Sequence, residues 1–370
     1  MSLIVFTGGG TGGHIFPGLA IIDELIATKN VDILWIGSSK GVDRDIITSH
    51  GTEFIGIPSG KLRRYFSFHN FVDVFRIFFG FISSLVILSF NRPILVFSKG
   101  GFVSVPPCLA AKILRIPVIT HECDYSPGLA TKINARSALK ILVSCEETLQ
   151  YFSPSMRNKV LVTGNPVRTR FYDADALAGR AFIGLQDTEL PILLVLGGSL
   201  GAHQVNEIIL DCLDTLCASF FVVHQTGPKN ADLYPMPEKE LTKSRYIRYP
   251  FIRDEMADVL AASSLVIARS GANTVWECAA AGKPMILIPL EKGNSRGDQV
   301  ENARFFVSRG AALMLSGENA NSQCLIETLH KLNEKPQVLK DMAANAAALG
   351  MTRPAKIIAD ILASYVDGSQ

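Results

Sequence analysis

The feature that most narrows the possible folds is a recurrence. Ile4-Val5-Phe6-Thr7 runs straight into Gly8-Gly9-Gly10-Thr11-Gly12-Gly13, and in the second half Leu193-Leu194-Val195-Leu196 runs into Gly197-Gly198-Ser199-Leu200-Gly201. An apolar, partly β-branched run that ends in a glycine cluster marks a buried parallel strand turning into a helix. The same opening twice in one chain points to two similar α/β domains.

The stretches between these openings agree. Apolar runs bounded by Gly, Pro or Ser predict strands at Leu3–Phe6, Ile33–Ile36, Phe54–Ile57, Ile94–Phe97, Val118–Thr120, Ile141–Val143 and Val160–Val162. A second series falls at Ile192–Leu196, Phe220–His224, Tyr246–Tyr249, Leu265–Ile267, Met285–Ile288 and Ala312–Leu315. Helical segments alternate with them, which implies right-handed βαβ crossovers and parallel sheets covered on both faces. The expected fold is therefore α/β, with two doubly wound Rossmann-like domains and a ligand cleft between them. The first domain is expected over 1–165 and the second over 166–351. Residues 352–370 include a helical pattern that can pack back on the first domain.

At 370 residues the chain is too long for one typical core. It is 48% hydrophobic and 19% charged, as a globular protein should be. With 36 Lys and Arg against 34 Asp and Glu, its net charge of +2 gives no reason to expect nucleic acid as a partner. Seven cysteines are scattered with no Cys-x-x-Cys pair, which argues against zinc and fits buried thiols in a reducing compartment. The N-terminus shows no basic stretch followed by a cleavage site, so the expectation is a cytoplasmic chain.

A glycine turn between strand and helix lets backbone N–H groups approach a phosphate, and the helix N-terminus favours its charge. Gly8-x-Gly10-x-x-Gly13 formally fits the dinucleotide fingerprint, which also wants an acid near the end of the second strand. That strand ends Trp35-Ile36-Gly37-Ser38-Ser39-Lys40, without one, and this counts against a nicotinamide enzyme. A lone loop of this kind also serves plain close packing of helix on strand. Two, one per half, favour ligand binding.

Longer motifs are more specific. Gly8 to Gly18 (GGGTGGHIFPG), Lys99 to Pro106 (KGGFVSVP), His121-Glu122, Gly128 to Lys132 and Gly164-Asn165-Pro166-Val167-Arg168 follow in order. Gly197 to Ala202, Arg269 to Glu277 (RSGANTVWE) and Asp298 to Ala303 (DQVENA) complete the series. Together they resemble the family of bacterial transferases that convert lipid I to lipid II in peptidoglycan synthesis. The resemblance implies a GT-B fold and inverting transfer of N-acetylglucosamine from UDP-N-acetylglucosamine to undecaprenyl-diphospho-N-acetylmuramoyl-pentapeptide. It implies no metal and no cofactor.

The resemblance also assigns residues. Glu277 is implied to hold the donor ribose, Thr274, Ser199 and Arg168 its diphosphate, and Phe251-Ile252 the uracil, with backbone contacts from Ile252. Asn273 belongs to the same donor set. Asp298-Gln299 is implied to read the sugar, although relatives carry two glutamines there, and Asp124 stands where many carry asparagine. Both replacements keep acceptors and lose amide donors. Thr11, Gly12 and Gly13 form the first substrate loop. For the base that inverting transfer needs, His14, Asp124 and Glu122 are the candidates.

Residues 61–92 stand apart. They hold five Lys or Arg against Asp73 alone, and nine of the chain's 31 aromatics. Phe71, Phe75, Phe78 and Ile82 recur at helical spacing, and Ile77–Phe90 is apolar nearly all round. That run is short for a membrane span and is cut by Asp73 and Arg76. A buried core helix and a basic, aromatic helix at an anionic lipid surface both fit. The second places the protein peripherally on the cytoplasmic face of the inner membrane, with other cell-wall synthesis proteins as possible partners. Rival functions are a glycolipid synthase acting on diacylglycerol, a UDP-N-acetylglucosamine 2-epimerase, and a non-catalytic sugar-nucleotide-binding subunit.

Overall fold

The computed structural model describes residues 2–60, 68–185, 190–197, 201–230, 233–291 and 296–368, and of 68–72 only the backbone. The chain divides into two compact units, the first Met1–Arg168 with Arg353–Gln370 and the second Thr169–Thr352.

The first unit is built on a seven-stranded parallel sheet: β1 Ser2–Thr7, β2 Val31–Ser38, β3 Glu53–Ile57, β4 Leu95–Ser98, β5 Val118–Glu122, β6 Lys140–Val143 and β7 Val160–Val162. Their spatial order is β3-β2-β1-β4-β5-β6-β7, so the order reverses between β1 and β4. In doubly wound sheets ligands bind at the strand ends beside such a switch point. The centre of the sheet is covered on both faces, which is why Ile4, Val5 and Phe6 are all fully buried and β1 reads as an apolar run.

Helix α1, Gly12–Thr28, follows β1. It crosses β2 so closely that a Cβ on Gly18 would lie 2.5 Å from the Trp35 ring. The Trp35 indole N–H in turn donates to the Gly8 carbonyl at 3.0 Å, tying strand β2 to the first glycine turn. Helix α2 is Asp43–Ser49. The final helix, Pro354–Val366, packs on α1, sharing a core in which Ile358 and Leu362 meet Ile4, Phe6 and Leu25. Lys29 closes its end with an ion pair to Asp367 at 2.7 Å.

Helix α3, Phe68–Asn91, is longer than its apolar run suggested. Asp73 and Arg76 do not interrupt it, because Asp73 turns inward and pairs with Arg76 at 3.0 Å. Asp73–Asn91 is long and apolar enough to cross a membrane by length and composition. One face of it is nevertheless fixed to its own unit. Gly80 presses on β3's exit, where a Cβ would fall 2.2 Å from the Pro58 carbonyl oxygen, and Ser84 and Leu88 are buried on the side packed by helix α4, Val105–Ile113. The opposite face is apolar and exposed: Val74, Phe75, Phe78, Phe79, Ile82, Val86 and Phe90. A fully buried core helix is thus excluded for that face. Lys61, Arg63 and Arg64 lie outside the described residues, and nothing is said of the Phe71 side chain.

The second unit repeats the plan with six parallel strands: β8 Ile192–Leu196, β9 Phe221–Gln225, β10 Tyr246–Tyr249, β11 Leu265–Ala268, β12 Met285–Leu287 and β13 Ala312–Met314. Their order is β10-β9-β8-β11-β12-β13, again reversing beside the first strand of the unit. Its core gathers Leu193, Val195, Val205, Ile209, Ile267 and Ile286.

Candidate active site

In the first unit the chemistry-bearing residues converge on the end of β1, beside the switch point. The turn Gly8–Thr11 leads into α1, whose first residues are Gly12, Gly13 and His14. Gly10 takes φ +84° and Gly100 and Gly101 take +83° and +77°, a region open to glycine at little cost. The two turns nest: a Cβ on Gly101 would lie 2.8 Å from the Gly9 carbonyl oxygen and 2.9 Å from the His14 ring. Thr11 and Gly13 are exposed and His14 half-buried, so the loop is open to a ligand.

Beneath the turn lies a polar network that the sequence did not announce. Lys99 is 1% exposed, yet its ammonium donates to His121 Nδ1 at 2.9 Å and to Cys123 Sγ at 2.6 Å. His121 therefore donates from Nε2 to the Gly164 carbonyl at 2.9 Å. Burial, and the Lys99 charge beside it, hold His121 well below the usual histidine range, so it stays neutral. Burial pushes the Cys123 thiol up to about 11, against the pull of Lys99. The bond to Gly164 fixes the start of Gly164-Asn165-Pro166-Val167-Arg168, and Arg168 ends the unit with its guanidinium 5.1 Å above the Phe16 ring.

Of the three base candidates, Glu122 is already committed. Its Oε1 accepts from the N–H groups of Cys123 (2.9 Å) and Asp124 (3.1 Å), and its Oε2 from that of Gly128 (2.9 Å). It is buried, and its carboxylate shapes the loop after β5. Asp124 on that loop and His14 on α1 are half-buried. One acid escaped the sequence reading. Asp43, fully buried at the start of α2, reaches back to the end of β2 and the first glycine turn, the place where the dinucleotide fingerprint wants its acid. Its oxygens accept from Gly10 and Ser38 N–H groups, so it is not offered to a ribose.

In the second unit the donor candidates gather at the ends of β8, β9 and β11. Gly197 and Gly201 flank the second glycine-rich segment, Gly201 at φ +81° with Asn230 and the Thr226 carbonyl too close for any Cβ; Ser199 lies outside the described residues. The helix Ala272–Ala280 starts after Gly271, with Asn273 and Thr274 in its first turn. Glu277 stands four residues after Asn273, on the same helix face and half-buried. Arg269 braces the approach, donating to Gln204 Oε1 (3.0 Å) and the Ile288 and Pro289 carbonyls (2.9 and 3.1 Å).

Asp298 and Gln299 open the helix Asp298–Ser308. The Gln299 Oε1 accepts from Leu290 N–H at 2.9 Å, which orients the side-chain amide so that its NH₂ is the end available to a ligand. Asp298 pairs with Arg296 at 3.3 Å. Phe251 is partly exposed and Ile252 buried, and the Ile252 N–H donates to Gln225 Oε1 at 2.8 Å. Contact between that N–H and a base would require Gln225 to yield, whereas the Ile252 carbonyl needs no such exchange.

Two Rossmann-like units, each with a glycine-rich segment after its first strand, define a class: enzymes of the GT-B plan. Residues 4–143 match the glycosyltransferase family 28 N-terminal domain and residues 192–358 the family 28 C-terminal domain. The UDP-N-acetylglucosamine--N-acetylmuramyl-(pentapeptide) pyrophosphoryl-undecaprenol N-acetylglucosamine transferase of Treponema denticola is 54% identical, over 99% of this chain and 98% of its own. Among solved structures, Acinetobacter baumannii MurG superposes with a TM-score of 0.74 at 24% identity, over 98% of this chain and 99% of that one. The UDP-GlcNAc 2-epimerase of Neisseria meningitidis, solved with UDP-GlcNAc, reaches 0.69 at 16% identity, over 98% and 100%. Both structural likenesses speak for the fold alone. The chain is a glycosyltransferase, and it belongs to family 28, with the N-acetylglucosamine transferases that the Treponema denticola enzyme represents.

Proposed function

We propose that this enzyme transfers N-acetylglucosamine from UDP-N-acetylglucosamine to lipid I, with inversion, and so forms lipid II for peptidoglycan synthesis, cell-wall growth and division. The observation that carries the proposal is 54% identity to the Treponema denticola transferase over nearly the whole length of both chains.

The donor falls to the second unit. Glu277 accepts from the ribose hydroxyls, Thr274, Asn273 and Ser199 meet the diphosphate, Ile252 the base, and Asp298 and Gln299 the sugar. The N-terminus of the helix Ala272–Ala280 favours the diphosphate's charge. The acceptor falls to the first unit, to Thr11, Gly12, Gly13, His14 and Asp124. As the bond from the anomeric carbon to UDP breaks, the muramoyl hydroxyl forms the new one and its proton passes to His14 or Asp124. Glu122 serves by holding the loop that carries Asp124. Arg168 stabilises the departing UDP. No metal is required in this scheme: turnover should persist in excess EDTA, and loss restored by magnesium would contradict it.

The exposed face of α3 and the basic stretch before it hold the first unit against an anionic membrane surface. The protein then sits peripherally on the cytoplasmic face of the inner membrane, within reach of a lipid acceptor and of other cell-wall enzymes.

The test is incubation with labelled UDP-N-acetylglucosamine and lipid I. Labelled lipid II supports the proposal. Conversion of the donor to its 2-epimer, transfer to diacylglycerol, or binding without turnover would each replace it.

A further inference from the structure

Asp43 has no part in the chemistry above, yet it is buried against the first substrate turn. Its Oδ1 and Oδ2 each lie 3.0 Å from Gly10 N, and Oδ2 lies 3.0 Å from Ser38 N at the end of β2. One carboxylate thus ties the turn to the neighbouring strand. Only a glycine admits it, since a Cβ on Gly9 would fall 2.0 Å from Asp43 Oδ2. The far side of the turn is closed as well. A Cβ on Gly10 would lie 2.5 Å from the Phe102 ring, and Gly101 backs against the Gly9 carbonyl. Burial pushes the Asp43 carboxyl above its ordinary range, and the bonds from Ser38 and Gly10 pull it back. A buried carboxylate that accepts backbone N–H groups is a strong, directional anchor.

We propose that Asp43 is a positioning residue for glycosyl transfer: it sets the shape of Gly8–Gly13 before substrate arrives, and with it the placement of His14. By taking the Gly10 N–H it also directs an incoming oxyanion to the first turn of α1 and away from the bend itself. The acid that would hold a dinucleotide ribose in a related fold is spent here on the loop. The reaction served is the one proposed above, but the shaping of the loop can be measured without it.

The experiment uses the full-length chain with Asp43→Ala and Asp43→Asn. Hydrogen exchange over residues 8–13 reads the loop, exchange in β8–β11 and UDP affinity read the second unit, and kcat and KM with lipid I read the reaction. Asp43→Ala should speed exchange in the loop and lower kcat on the order of 100-fold, the cost of a small misplacement at a reacting centre. UDP affinity should stay within about twofold, because a direct ligand contact is not removed. Asp43→Asn retains one acceptor oxygen and should recover part of both losses. If the alanine variant does not fold, the asparagine variant decides alone. Parental kcat in a folded variant whose loop exchanges faster would overturn the proposal, and so would unchanged exchange. If the parent fails to make lipid II, the functional reading falls, while the exchange comparison still decides whether Asp43 orders the loop.

Discussion

The exposed face of α3 gives a prediction whose size can be worked out. Phe75, Phe78 and Phe79 are 51%, 55% and 57% exposed. Taking ~200 Å² for a whole aromatic side chain, they offer together about 330 Å² of apolar surface. At ~25 cal/mol per Å², complete transfer to hydrocarbon would contribute ~8 kcal/mol. A helix lying in the interface sinks only part of its apolar face, so roughly half of that, ~4 kcal/mol or ~1000-fold in partitioning, is the realistic stake. Changing all three to serine should therefore abolish co-sedimentation with vesicles at lipid concentrations that pellet the parent. The fold should survive, because these side chains point away from Gly80, Ser84 and Leu88, which fasten α3 to its unit.

Salt separates this term from the basic one. Binding lost through the phenylalanines should be nearly insensitive to ionic strength, whereas the share owed to Lys61, Arg63 and Arg64 should fall as salt rises. UDP affinity, which the proposed donor site assigns to the second unit, is the control. If the triple variant pellets like the parent at every lipid concentration, the apolar face does not meet the membrane.

Three further outcomes follow from the sites. Glu277→Ala should weaken UDP binding by ~10–150-fold, the worth of a charged hydrogen bond of ~1.5–3 kcal/mol, and calorimetry showing parental affinity in a folded variant would remove Glu277 from the ribose. Glu122→Gln should lower the melting temperature, since an NH₂ then faces a backbone N–H that an oxygen had accepted, at ~1–3 kcal/mol; unchanged melting with lost kcat would instead make Glu122 the base. His224, held between Asn206 Oδ1 and Tyr246 OH, is lowered by burial to about 3 from 6.5, so the unfolded chain binds a proton there that the folded one refuses. Stability should fall as pH drops below 6.5, and His224→Gln should flatten that limb in pH-dependent melting curves.

What the sequence could reveal divides along a physical line. A strand buried on both faces must be largely apolar, so central strands announced themselves as runs such as Ile192–Leu196, while edge strands such as the exposed Val160–Val162 showed by their β-branched residues. What a polar side chain does at such a site depends instead on which neighbour the fold brings to it. Glu122 has the right chemistry for a base, but the chain after it bends back and three backbone N–H groups consume its oxygens. Asp43 was passed over because the end of β2 held no acid, and only the return of α2 across that strand puts its carboxylate there. Lys99 meets His121 because β4 and β5 lie side by side with Ser98 opposite Thr120, a register that neither strand's composition states. Ile252 is the same case in the second unit: its N–H is available or not according to Gln225, at the end of β9. Each of these groups takes its partners from a segment that only the fold brings beside it. The place of the candidate site could therefore be proposed from the pattern, while the partners of each group within it required the fold.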